Sequence, residues 1–112
     1  MATKVFIVVS SSDKEIVAEV GLRYSLGAAT KQWMDEVKVF LFGPAEKLAA
    51  HDPDVQTRLK NVLEAGVEVM ACKAYADESN ITGALEETGI KVVYIGAIIA
   101  QLLKDGWASL TF

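Results

Sequence analysis

One side chain in this sequence can act as a thiol nucleophile: Cys72, the only cysteine. A thiolate attacks carbon or sulfur centres once its proton can leave and solvent can reach it. Cys72 directly follows Val67-Glu68-Val69-Met70-Ala71, a short run rich in β-branched and apolar residues. It is therefore expected at the carboxyl end of a strand, where the sheet holds its backbone while the side chain can meet solvent. The competing role is packing, because free cysteine is among the most buried residue types. Lys73 is adjacent, but neighbours in an extended segment point to opposite faces. No histidine lies near Cys72 in sequence to serve as a base; His51, the only one, reads as a surface residue near a helix C-terminus.

A second group of candidates is polar. Ser10-Ser11-Ser12 closes an apolar run and Gly43 closes another. Free N–H groups at a helix start and the helix dipole favour an anion there, so Ser10, Ser11, Ser12 and Gly43 are candidate contacts for a small anionic or nucleotide-like ligand. Their plainer roles are a helix cap for Ser12, which stands in capping-box spacing to Glu15, and turn formation for the others. Asp77 and Glu78 read as solvated loop charges, and Trp33 and Trp107 as core or interface anchors.

Several classes of chemistry lack their residues. The eight glycines nowhere form G-x-G-x-x-G, and there is no Gly-Lys-Ser/Thr phosphate loop. One cysteine and one histidine cannot build a Cys/His zinc site within a single chain. With no C-x-x-C pair, thioredoxin-like exchange inside one chain is excluded. Net charge is −4 with no basic run, which argues against nucleic acid. The expectation is a protein without cofactor or metal.

The elements that must position Cys72 alternate. Val5 to Val9 is a continuous apolar strand, the pattern of a strand covered on both faces. A helix is expected from about Ser12 to Met34, with Ile16, Val17, Val20, Tyr24, Ala28 and Trp33 along one face. Val37 to Phe42 is the second strand, and Pro44 opens a short helix to about Ala50. Asp52 caps a third helix with Pro53 as its first residue, and Gly66 takes the left-handed position at its end. After the strand Val67–Ala71 come a polar bend over Asp77–Asn80, a helix to Thr88, a strand Lys91–Tyr94, a helix Gly96–Lys104 and a last strand Trp107–Phe112. Strands alternating with helices imply parallel pairing through right-handed crossovers. The expected fold is an α/β three-layer α/β/α sandwich with a mostly parallel sheet of about five strands, one domain over residues 1–112.

At 112 residues and 52% apolar, the chain exceeds the roughly 45–50% of ordinary soluble domains. A small domain has little interior volume, so the surplus points to burial between subunits and a homo-oligomer. The opening residues Met1-Ala2-Thr3-Lys4 run straight into a strand and lack signal-peptide features. The longest apolar stretch, Val92 to Leu103, is too short to span a bilayer. A cytoplasmic location with no membrane partner is expected.

The chain also resembles the DsrE/DsrF-like family, small α/β proteins that include sulfur carriers of relay pathways. The likeness is carried by the Val5–Val9 strand and its long following helix, by Val37-Lys38-Val39-Phe40-Leu41-Phe42-Gly43, by Glu64-Ala65-Gly66-Val67-Glu68-Val69-Met70-Ala71-Cys72 and by Leu103-Lys104-Asp105-Gly106-Trp107. The resemblance implies a DsrE-like fold, a trimer or hexamer, and a persulfide on Cys72 that takes sulfane sulfur from a donor protein and gives it to an acceptor. Lys73-Ala74-Tyr75-Ala76-Asp77 departs from the small-residue run with an arginine associated with the clear carriers. The alternative is a non-catalytic oligomeric binding module with Cys72 as a packing residue.

Overall fold

The computed structural model describes residues 2–112. Its sheet contains five strands in the order β4-β3-β2-β1-β5, and every adjacent pair runs parallel. In chain order they are β1 (Lys4–Val9), β2 (Glu36–Leu41), β3 (Glu68–Cys72), β4 (Lys91–Val93) and β5 (Ala108–Thr111). The helices are α1 over residues 14–30, α2 (Ala45–His51), α3 (Pro53–Glu64), α4 (Lys73–Glu78), α5 (Thr82–Glu87) and α6 (Gly96–Lys104). The α/β/α sandwich is present, with unequal outer layers.

Strand alternation divides the apolar side chains between two cores. Val5, Ile7 and Val9 of β1 join Val37, Val39 and Leu41 of β2 in the larger one, together with residues of α1, α2, α3 and α5. Phe6, Phe40 and Met70 point the other way, where only α6 meets them through Leu102, with Ile95 from the segment before it. Phe6 and Phe40 meet edge to face, with ring centroids 5.7 Å apart, the arrangement their quadrupoles favour. Both faces of the central strands are therefore apolar, which is why β1 and β2 read as unbroken greasy runs.

The amino-terminal ends of the strands are tied by charge. Lys38 Nζ lies 2.8 Å from Glu68 Oε1 across the β2–β3 pair, and Lys91 Nζ lies 2.7 Å from Glu68 Oε2 across β3–β4. Lys38, followed by Lys91, holds the Glu68 carboxyl below its ordinary range.

Three local expectations change. The first helix is capped by Asp13, not Ser12: Asp13 Oδ1 accepts from the N–H groups of Glu15 and Ile16 at 2.9 and 3.3 Å. Its Ile16–Leu22 stretch is π-helical and only Arg23–Thr30 is α-helical. The wider π turn carries Ile16 and Val20 out of the 3.6-residue face, so both are exposed, while Val17, Ala18, Gly21 and Leu22 are buried. Helix α1 ends at Thr30, leaving Trp33 beyond it and 53% exposed. Asp77 and Glu78 belong to α4 rather than to a bend; the turn is confined to Ser79 and Asn80. By contrast, Asp52 does cap α3, accepting from the N–H groups of Asp54 and Val55, and Gly66 has φ +86°.

Candidate functional site around Cys72

Cys72 is the last residue of β3, pairs with Val93 of β4, and immediately precedes α4. Alternation along β3 puts its side chain on the same face as Met70, against the smaller core beneath α6. The side chain is half-buried and packs against the cluster that contains Met70 and Ile95. The register of β2 and β3 pairs Leu41 with Ala71, so the next residue, Phe42, comes level with Cys72. Phe42 is 44% exposed and Tyr94, just past β4, is 67% exposed. The thiol thus sits at a strand end, with Phe42 level on one side and Val93 of β4 on the other.

Lys73, the first residue of α4, is engaged elsewhere. Its Nζ lies 3.1 Å from Asp77 Oδ2 one helical turn on, and 6.0 Å from the centroid of the Tyr94 ring. The hydrogen bond that Lys73 donates to Asp77 raises its proton affinity. Thr82 first, then Lys73, lowers that of Asp77. The cation nearest Cys72 in sequence is therefore partly neutralised by its own helix, an exposed pairing of small energetic weight.

The polar candidates lie on the same carboxyl edge of the sheet, apart from Cys72. Ser10 and Ser11 follow β1, at the point where the strand order reverses between β1 and β5. Their N–H groups both donate to the carbonyl of Phe112, at 2.8 and 3.4 Å. Ser11 Oγ accepts from Asp13 N–H, and Ser12 is exposed. Gly43 has φ +84°, and its N–H is taken by Glu46 Oε2 at 2.8 Å. The backbone donors of Ser10, Ser11 and Gly43 are thus satisfied within the chain. His51 is exposed in the last turn of α2.

Glu46 is the residue that sequence reading passed over. It is completely buried, and Oε1 has no hydrogen-bond partner among the described residues. The signal was present: Gly43-Pro44-Ala45-Glu46 has the spacing in which a glutamate reaches back to the N–H at the start of its own helix. Burial drives its carboxyl from the ordinary 4.5 up to about 7, against the opposing effect of the Gly43 N–H.

Two hollows lie away from the thiol. One of about 680 Å³ opens at the amino-terminal edge of the sheet, near Gln32, Asp35 and Gly66. Another of about 710 Å³ runs between α1 and α3. Cys72 lines neither, and their charged walls supply no nucleophile, so volume does not mark the chemistry here.

The model of one protein family matches residues 3–112. The chain belongs to the DsrE/DsrF-like family. Solved structures repeat this DsrE-like architecture. A conserved protein of unknown function, BT1422 from Bacteroides thetaiotaomicron, is 27% identical with a TM-score of 0.92, the match covering 97% of this chain and 94% of that one. YchN from E. coli is 18% identical with a TM-score of 0.79, and MTH1491 from Methanobacterium thermoautotrophicum, also of unknown function, is 16% identical with a TM-score of 0.82. Each of these two matches covers 98% of this chain and 99% of the other. No curated protein matches the chain. Among the described residues no helix is long and apolar enough to cross a membrane.

Proposed function

We propose that this DsrE/DsrF-like protein carries sulfur, with Cys72 accepting sulfane sulfur as a persulfide and passing it on. The observation that supports this reading is the placement of the only thiol: at the carboxyl end of β3, backbone held by the sheet, side chain half-buried. The Cys72 thiolate attacks the outer sulfur of a donor persulfide. An Sγ–S bond forms as the donor's S–S bond breaks, and the donor leaves as a thiolate with the electron pair. An acceptor thiolate then attacks the outer sulfur of the Cys72 persulfide, and Cys72 departs as thiolate. Each step is exchange at sulfur with no net oxidation, governed by thiolate fraction and access. The apolar neighbours of Cys72 and its partial burial suit a persulfide held briefly between partners, because both limit contact with bulk water and stray thiols.

Exposure to a small persulfide donor followed by intact-protein mass spectrometry tests this reading. The wild type is expected to gain the mass of one sulfur, released by a reductant, and Cys72→Ser to gain none. Equal uptake by the two proteins overturns it.

The protein is further proposed to act as a homo-oligomer, a trimer or hexamer in the cytoplasm, meeting donor and acceptor proteins at the Cys72 edge. Support comes from α6. Residues 96–103 of this helix carry no charge, yet it covers the sheet alone and leaves Leu103 54% exposed. A helix apolar all round is ordinarily buried all round. A second copy of the chain, bearing the same unpaired surface, is the occupant proposed.

A further inference from the structure

Glu46 caps its own helix start, and it combines that contact with two features that a structural cap does not need. A capping glutamate is ordinarily solvated, whereas this one is 0% exposed. Its Oε2 accepts from Gly43 N–H at 2.8 Å, and its own N–H returns a 2.8 Å bond to the Gly43 carbonyl. Oε1 meets no donor among the described residues. Oε1 has no acceptor among them either, so a neutral acid, with Oε2 bonded and a hydroxyl on Oε1, leaves one O–H unpartnered, a smaller cost than an unpaired buried charge. A carboxylate fares worse, because a buried charge with one N–H donor lacks the solvation that water gives.

The clamped segment runs beside the thiol. Glu46 holds Gly43, Gly43 follows Phe42, and Phe42 stands level with Cys72 on the neighbouring strand. Adjacent strands lie about 4.8 Å apart, so displacement of Phe42 or Gly43 alters the flank of Cys72 directly.

We propose that Glu46 is a proton-controlled latch on the Phe42–Ala45 turn: as the neutral acid it keeps the turn closed beside Cys72, and on losing its proton to solvent it draws water in and loosens that turn. Glu46 acts as a positioning residue through Gly43, without touching the sulfur being transferred. The link to Cys72 rests on the thiol being the working group; the latch itself does not.

No neighbouring charge takes over this control. On α3, Asp54 pairs with Lys14, Arg58 with Glu19, and Lys60 with Glu64. On α4, Lys73 pairs with Asp77 and Glu78 is exposed, as are Glu86 and Glu87 on α5. On α2 itself, Lys47 lies over the Tyr75 ring at 5.9 Å and His51 is exposed. Burial and the Gly43 N–H set the proton affinity of Glu46.

The test follows the wild type and Glu46→Gln by NMR and by Cys72 alkylation with a neutral reagent, across the pH range of carboxyl titration. In the wild type, the Glu46 carboxyl carbon should titrate near neutrality. Opening of the Gly43 amide, corrected for intrinsic exchange, should rise by roughly one to two orders of magnitude between about pH 5 and 8 and then level. Glu46→Gln, which keeps the acceptor and cannot ionise, should show no such rise. The ratio of wild-type to variant alkylation rate should climb over the same interval. Titration of the carboxyl carbon in the ordinary glutamate range overturns the proposal and needs no variant to fold. Parallel Gly43 exchange in the two proteins, or a flat alkylation ratio, also overturns it. A protein that passes these measurements but takes up no persulfide sulfur loses only the sulfur-carrier reading.

Discussion

Two side chains at the carboxyl edge of the sheet are buried to different degrees, and solvent treats them differently. Cys72 is half-buried; Glu46 is sealed. The pH dependence of stability should belong chiefly to Glu46. Between its ordinary 4.5 and its folded value of about 7, the unfolded chain gives up the proton while the native protein keeps it. The native state then binds more protons, so stability falls as pH rises across that window and levels above it. The full loss is about 3 kcal/mol at most. Urea denaturation at pH 5 and pH 8 should show this decline in the wild type and little of it in Glu46→Gln. A wild type equally stable at both values would remove the neutral acid from the account. Gly43 offers a companion measurement. Its φ of +84° disfavours any side chain although a Cβ there would meet open space. Gly43→Ala should therefore cost about 1 kcal/mol from backbone strain alone.

At the scale of elements, close approach to the sheet separates α1 from α3. Gly21 sits in the π-helical part of α1, and a Cβ there would stand 2.9 Å from Val9 Cγ2 and 3.2 Å from Cγ1. Val9 is fully buried in the central strand, and its β-branched side chain has little rotational freedom. Helix propensity alone would reward alanine by about 1 kcal/mol, whereas overpacking costs about 1–3 kcal/mol. The clash should win, so Gly21→Ala is expected to lower stability in chemical denaturation by about 1 kcal/mol. An unchanged or higher midpoint would mean that the π segment yields. Helix α3 depends on its cap instead: Asp52 bonds two N–H groups and lies 3.2 Å from Lys14. Asp52→Ala should cost about 1 kcal/mol, read by the same denaturation. Loss of the exposed Lys14 contact should add little.

For the whole molecule, one side of the sheet is well insulated and the other is not. Helices α1 to α5 supply the larger core, while α6 alone covers Phe6, Phe40 and Met70 among the described helices. The edge strand β5 is exposed along its whole length, an unpaired edge of the kind that pairs or is covered. If copies meet through the α6 layer, Leu103→Glu should shift the sedimentation of the protein to that of one chain while leaving its circular dichroism intact. A variant that still sediments as wild type would place the contact elsewhere.

Sequence pattern by itself determined the order of the strands and of every helix but α4, the parallel sheet, the cap at Asp52, the left-handed Gly66 and the position of Cys72 at a strand end. Each of these rests on local rules: periodicity, β-branching and turn chemistry act over a few residues and can be read from a few residues. Only the structure showed that α1 widens into a π-helix where Gly21 lies against Val9. Tertiary structure alone consumed the Ser10 and Ser11 donors, since β5 brings Phe112 back beside β1 from the far end of the chain. It also turned Glu46 from an ordinary helix-start glutamate into a buried acid, because its burial is set by elements packed around α2 that no local spacing reports.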